Sequence, residues 1–292
     1  MSLIIKEMLR IGEVALAEAG CPDSRIDAEL IMCHLLELDR NQLYLKYPLM
    51  QDERVCDAYF SLIDERAAGK PVQYIIGYQD FLDQRFIVTP DVLIPRQETE
   101  LLVIELYKEM KQQKSPWGGL QILDLCCGSG VIGLSLAKRF EQAKVTLADI
   151  SPAALAIARR NAEALGVDRR CKFVESDLFG AFRKRVGKRD FHAIAANPPY
   201  IKTAVISTLQ REIVEHEPLL ALDGGDDGLV FYKRIIADAA EYLQKGGWLI
   251  MEIGYDQGAI IREIVEFSGK YDEISVLPDL AGRDRIFKCR AV

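Results

Sequence analysis

From Leu120 to the C-terminus the sequence alternates short apolar runs with amphipathic stretches, and this rhythm restricts the fold more than any other feature. The candidate strands are Gln121–Leu125, Lys144–Asp149, Cys171–Glu175, Phe191–Ala195 and Trp248–Ile253, with a closing pair near Ile274–Leu277 and Arg285–Cys289. Helical spacing falls near Val131–Arg139, Pro152–Leu165, Leu229–Gln244 and Gln257–Phe267. Strand-helix alternation of this length predicts an α/β fold, a mostly parallel, doubly wound sheet with helices on both faces. The last two strands lack an intervening helix, so one of them is expected to run antiparallel to its neighbour.

The first 70 residues read differently. Apolar positions recur at three- and four-residue steps from Leu3 to Leu16, and Gly20-Cys21-Pro22 ends that run. A second helix follows, with Ser24 and Asp27 spaced as an acidic capping box. A third spans roughly Asp52 to Ala68, with Gly69 as its C-terminal cap. Between Pro71 and Pro95 the period becomes two (Val72, Tyr74 and Ile76, then Phe86 and Val88), which predicts a β-hairpin. A helix from about Gln97 to Gln113 and a breaker, Ser115-Pro116-Trp117-Gly118-Gly119, precede the α/β region. The expected organisation is a helical domain at 1–70, a hairpin linker at 71–95 and an α/β domain at 96–292.

Composition narrows the class. The chain has 292 residues, and 37 Lys+Arg against 44 Asp+Glu leave a formal charge of -7, which disfavours extended phosphate contacts. The seven cysteines form no C-x-x-C pair, so zinc ribbons and thioredoxin-like motifs are poor readings, and no metal site is expected. An early acidic residue, Glu7, argues against a secretory leader, and no apolar run reaches a membrane span. The expected location is cytoplasmic, with no membrane partner.

The first strand ends in Asp124-Leu125-Cys126-Cys127-Gly128-Ser129-Gly130. Glycines there let a ligand approach the backbone, and the following helix offers free N–H groups. Gly128-x-Gly130-x-x-Gly133, with Asp149 ending the next strand, satisfies the dinucleotide fingerprint, so a nicotinamide dehydrogenase is one reading. Asp124 opposes it, because a carboxylate just before the glycines repels a pyrophosphate. A cofactor with a cationic amino-acid tail, such as S-adenosyl-L-methionine, would welcome that charge, and D-x-x-x-G-x-G resembles the methyltransferase form of the loop. Asp149 would then hold the ribose hydroxyls, or else cap the helix after Ser151-Pro152. Asp177, after the third strand, would accept from an adenine amino group, with Leu178 or Phe179 over the ring; a plain loop acid beside a core Phe is the other reading.

After the fourth strand comes Asn197-Pro198-Pro199-Tyr200. Two prolines stiffen the corner and remove two donors, Asn197 adds a side-chain carbonyl, and Tyr200 adds a flat wall. Such a corner suits a planar –NH2 group whose lone pair is delocalised. Accepting both N–H bonds, at Asn197 Oδ1 and the Pro198 carbonyl, would orient the nitrogen and stabilise charge developing on it. Asn197, Pro198 and Tyr200 are the candidate catalytic residues. Pro199 joins them in binding the substrate, and Asn197 also borders the cofactor.

The sequence resembles the HemK/PrmC family, the release factor glutamine methyltransferases, over nearly its whole length. The resemblance rests on Pro71–Gly77, Thr89–Arg96, Asn197–Tyr200, Glu217–Leu222 and Leu280–Arg285. It implies a helical domain that docks substrate, joined to an S-adenosylmethionine-dependent methyltransferase domain with a Rossmann-like, mostly parallel seven-stranded sheet. It further implies methyl transfer to the side-chain amide nitrogen of the glutamine in the Gly-Gly-Gln loop of peptide-chain release factors. Carried onto this chain, the cofactor loop is Cys126 to Gly130, the ribose acid is Asp149, Leu178 lies at the adenine, and Asn197 to Tyr200 hold the glutamine. S-adenosyl-L-homocysteine would be the product. Three departures stand out: Gln97 replaces a usual proline after Arg96, with Glu98 and Glu100 retained; Cys126-Cys127 replaces small residues; and Glu215-His216 replaces an aromatic or basic pair. The roles of Arg96, Glu98 and His216 stay open at this point.

Two rivals remain. Enzymes that methylate exocyclic amines of adenine or guanine in DNA or RNA use similar Asn/Asp-Pro-Pro-aromatic corners, and the run Arg183–Arg189 is the best local support for one. A non-catalytic cofactor-binding adaptor is the other, but an adaptor has no use for bare acceptors aimed at an amine.

Overall fold

A computed structural model of the protein describes residues 2–112, 119–185 and 188–292. The chain divides into two compact units, one formed by residues 1–78 with 210–216, the other by 79–209 with 217–292. Most of the predicted breaker at 115–119 and the centre of the basic run at 183–189 lie outside the described residues.

The first unit holds strand β1 (Leu3–Ile4), helices α1 (Ile5–Glu18), α2 (Ser24–Leu36) and α3 (Arg40–Lys46), strand β2 (Met50–Gln51), and helices α4 (Glu53–Ala67) and α5 (Val72–Ile76). Its core gathers Ile5, Met8, Leu16, Ile31, Met32, Leu43, Tyr59 and Ile63, the apolar stripes of four helices. The short α3 is set by a complete capping box between Asp39 and Gln42. The box expected at Ser24 does not form. No side chain caps α2, and Asp27 turns inward, its Oδ2 accepting from Arg66 Nε at 2.6 Å. Arg66 Nη2 also meets Glu212 Oε2 at 2.8 Å. A fixed spacing of Ser and Asp cannot tell a cap from an ion pair whose partner lies 39 residues away.

The predicted hairpin is shifted. Val72–Ile76 is the helix α5 rather than a strand, entered from Pro71 and stopped at Gly77 with φ 82°. Over five residues, positions i and i+4 share a helix face as readily as a strand face, so the alternation did not discriminate. The hairpin itself is β3 (Tyr78–Phe81) with β4 (Gln84–Ile87), and α6 (Gln97–Gln112) follows.

The second unit is built on β5 (Gln121–Leu125), α7 (Val131–Arg139), β6 (Lys144–Asp149), α8 (Pro152–Ala164), β7 (Cys171–Glu175), β8 (Phe191–Ala196), α9 (Thr203–Ile206), then α11 (Val230–Ala239), β9 (Leu243–Glu252), α12 (Gly258–Ser268), β10 (Tyr271–Pro278) and β11 (Asp284–Ala291). Between α9 and α11 the chain contributes α10 (Arg211–His216) to the first unit. The seven strands lie in the order β10-β11-β9-β8-β5-β6-β7; β5 to β9 pair in parallel, and β11 is antiparallel to both β9 and β10. That is the predicted doubly wound sheet with its antiparallel end.

Alternation along the strands fills two cores. Ile122, Val145, Ala193 and Ile250 join residues of α6, α7 and α8 on one face. Leu123, Ile194, Leu249 and Met251 join α11 and α12 on the other. The strand order reverses between β8 and β5, so the loops after their carboxyl ends diverge and leave a crevice, where ligands of such folds bind.

Candidate active site

The glycine loop consumes its own donors. Gly128 N–H donates to Asp149 Oδ2 at 2.9 Å, Gly130 N–H to the Cys127 carbonyl at 2.7 Å, and Gly133 N–H to Asp124 Oδ2 at 2.8 Å. Asp124 is fully buried on the α7 face of β5, and burial carries its carboxyl up to about 7 against that one N–H. Gly133 is glycine because a Cβ there would stand 2.9 Å from Asp124 Oδ2. The third glycine of the apparent dinucleotide fingerprint therefore lets α7 close on the sheet, against Asp124 of β5 and Val145 of β6.

Asp149 ends β6 with Oδ1 accepting from Ser151 N–H at 2.9 Å and Oδ2 from Gly128. Burial lifts its pKa, and those N–H groups partly offset the rise. Helix α8 is capped by Ser151, whose hydroxyl accepts from Ala154 N–H at 3.1 Å, so Asp149 keeps lone pairs for a ligand. Asn161, fully buried on α8, donates to the carbonyls of Ser129 at 2.9 Å and Ile87 at 3.1 Å, tying hairpin and glycine loop together.

A cavity of about 270 Å3 opens over these loops. Its wall includes Cys126, Cys127, Gly128, Ser129, Asp149, Asp177, Leu178, Asn197 and Pro199, together with Asp91, Arg96, Thr99, Phe231 and Arg234. Asp124, Gly130, Pro198 and Tyr200 lie outside that wall. Asp124 is thus a residue beneath the loop, not the surface carboxylate the sequence suggests, because its side chain follows the strand pleat toward α7. Asp177 is on the rim with Oδ2 bound to Arg234 Nη2 at 2.7 Å. Leu178 is buried and faces the cavity, whereas Phe179 is not on its wall and stacks on Tyr242 with centroids 4.7 Å apart. The aromatic on the wall is Phe231 of α11, which carries no local motif.

The Asn-Pro-Pro-Tyr corner continues β8. Ala195 and Ala196 pair with Ile250 and Met251, so the next step sets Asn197 beside Glu252. Glu252 is buried, on the face shared with Trp248 and Ile250. Asn197 Nδ2 donates to Glu252 Oε2 at 3.1 Å and to Thr99 Oγ1 at 3.3 Å. Thr99 donates to Glu252 Oε2 at 2.5 Å, and the Tyr200 hydroxyl donates to Oε1 at 3.2 Å. Burial raises the Glu252 pKa, while Thr99, Arg285 and Tyr200 pull it back. With Nδ2 committed inward, Asn197 Oδ1 is the end left for the cavity. Among the described residues no hydrogen bond reaches the Pro198 carbonyl. Gly224 packs under the corner, where a Cβ would stand 2.7 Å from Tyr200 Cα, and Gln257 Nε2 donates to the Tyr200 carbonyl at 3.1 Å.

Arg96 acquires a role here: its Nη2 binds Glu217 Oε1 at 2.5 Å, and Glu217 also accepts from Ile94 N–H at 3.3 Å. Glu98 is exposed, and Glu100 accepts from Leu82 N–H at 2.7 Å, bracing the hairpin turn. Thr99, Glu252 and Asn161 escaped the sequence reading. An acid closing the apolar run Trp248–Ile253 was the one visible signal.

Residues 7–77 match the family model "PrmC N-terminal domain" and residues 97–231 match "Methyltransferase small domain". The chain is 41% identical to the release factor glutamine methyltransferase of Moorella thermoacetica, covering 93% of each chain. It is 37% identical to that of Bacillus subtilis, covering 96% of each, and 36% identical to that of Clostridium botulinum, covering 99% of each. Among solved structures, the hMettl16 catalytic domain in complex with a 3′UTR hairpin shares the fold at TM-score 0.56 and 14% identity, covering 78% of this chain and 80% of that one. The T. thermophilus 16S rRNA methyltransferase RsmC, in complex with AdoMet and guanosine, gives TM-score 0.51 and 17% identity, covering 74% of this chain and 50% of that one. No helix among the described residues is long and apolar enough to cross a membrane.

Proposed function

Because the chain belongs to the release factor glutamine methyltransferase family, we propose that it methylates the side-chain amide nitrogen of the glutamine in the Gly-Gly-Gln loop of peptide-chain release factors, using S-adenosyl-L-methionine. One observation carries this reading: Asn197 stands on the same cavity wall as the glycine loop and Asp149, with its amide nitrogen committed inward.

The cavity fits that cofactor. Ser129 Oγ, on the cavity wall in a residue only 2% exposed, has no hydrogen-bond partner among the described residues, and the carboxylate of Asp149 retains lone pairs for ribose hydroxyls. Both arginines on the wall are already neutralised, Arg96 by Glu217 and Arg234 by Asp177. With both of these paired, no uncommitted side-chain cation on that wall, among the described residues, meets a pyrophosphate, which disfavours the dehydrogenase reading. Cys126, Cys127, Gly128 and Ser129 would border the amino-acid part, with Leu178 and Phe231 about the adenine. When bound, the cofactor supplies an electrophilic methyl carbon on a sulfonium.

This chain's own residues do the rest. Asn197 Oδ1 and the Pro198 carbonyl accept the two amide N–H bonds and turn the nitrogen lone pair toward the cofactor side. Charge building on the nitrogen meets those oxygens, and the methylated nitrogen then releases one of its two protons to solvent, with no strong general base required. Tyr200 and Pro199 keep the corner rigid.

We assign the helical unit to docking the body of the release factor, and we expect no nucleic-acid or membrane partner and a cytoplasmic location. Mass spectrometry of a release factor incubated with the protein and cofactor tests the assignment by locating the added methyl on that glutamine. A methyl found instead on adenine or guanine would move the substrate to nucleic acid. Calorimetry against NAD and S-adenosylmethionine decides the cofactor.

A further inference from the structure

Glu252 closes an apolar strand with a fully buried carboxyl group. Three donors converge on it: Thr99 Oγ1 and Asn197 Nδ2 reach Oε2, and the Tyr200 hydroxyl reaches Oε1. Arg285 from β11 and Glu98 from α6 act on it through space, and Tyr232 of α11 donates to its main-chain carbonyl at 2.9 Å.

A carboxamide is nearly symmetrical in shape but opposite in hydrogen-bond character at its two ends. Packing alone does not decide which end of Asn197 faces the cavity. An ionised carboxylate accepts only, so it selects Nδ2 and leaves Oδ1 on the cavity side. Resting on the glutamine-methylation reading above, we propose that Glu252, steadied by Thr99, is a positioning residue that fixes the polarity of Asn197 toward the acceptor amine. Were Asn197 turned over, its N–H groups would face those of the substrate amide and the lone pair would lose its orientation. E252Q turns one end of this acceptor-only group into an N–H donor and so removes the partner that selects Nδ2 over Oδ1. Thr99 completes the device because its hydroxyl donates to Glu252 and accepts from Asn197 at once.

Steady-state kinetics on a release factor, with cofactor affinity by calorimetry, test E252Q, T99V and T99S. E252Q and T99V are expected to lower kcat by about 10- to 100-fold. KM for the factor and Kd for the cofactor should stay within about threefold. T99S keeps the hydroxyl and should recover most of the rate. A folded E252Q or T99V that holds kcat within about threefold of wild type overturns the proposal. Should E252Q fail to fold, the contrast between T99V and T99S decides.

Side-chain amide NMR supplies a readout independent of turnover. The Asn197 Nδ2 resonances, identified by their loss in N197A, should shift in T99V, and unshifted resonances would also overturn the idea. If they shift while the wild-type protein leaves every release factor unmethylated, the substrate assignment falls and the Asn197 lock stands.

Discussion

At the scale of single residues, one motif can be separated into a catalytic part and a supporting part. Asn197→Ala removes the side-chain acceptor yet leaves the glycine loop and Asp149 intact, so kcat should fall at least about 100-fold with cofactor affinity nearly unchanged. Turnover near the wild-type rate on a purified release factor would strip Asn197 of that role. Asp124 makes a different prediction. Its folded pKa of about 7 lies above the roughly 4 of an unfolded chain, so the folded state holds the proton more tightly. Its contribution is fully present below about pH 4 and is lost as pH rises through about 7, with a slope of at most ~1.4 kcal/mol per pH unit. Urea midpoints of the cofactor-free protein should therefore decline between pH 5 and 7 relative to Asp124→Asn; parallel curves would contradict the buried acid. Asn197 and Asp149 were legible because each follows a strand within a recognisable string. Thr99 and Glu252 were not, since their meaning is a contact across 153 residues of sequence that only the sheet register creates.

At the scale of elements, continuous apolar strands bounded by loops gave β5, β6 and β8 nearly residue for residue, because both faces of a central parallel strand are buried. Short pieces were the weak point. The helix α5 mimicked a strand, and α10 gave no hint that it belongs with helices more than 130 residues earlier. The tie is Arg66, only 6% exposed, shared between Asp27 and Glu212. Arg66→Ala would leave Asp27 buried without its cation, a change that costs about 3–5 kcal/mol in comparable pairs. Chemical denaturation should show that loss, while a change under about 1 kcal/mol would mean that solvent reaches the site.

At the scale of the whole molecule, the helical unit carries exposed apolar side chains that its own core does not use: Leu45 is 83% exposed and Met50 65%. If this unit receives the body of a release factor, Leu45→Glu should raise KM for the full-length factor about tenfold or more and leave a short Gly-Gly-Gln peptide unaffected. Equal effects on both substrates would remove docking from this surface.

Arg66 and Glu212 also bear on synthesis. An N-terminal unit usually closes as soon as it clears the ribosome, but this one lacks a piece until the polypeptide has been extended past His216. At common elongation rates that gap lasts about 10–30 s, during which a guanidinium meant for two carboxylates has one. The nascent helices can close their apolar core without it, but Arg66 keeps one carboxylate until a segment translated after four of the seven strands arrives.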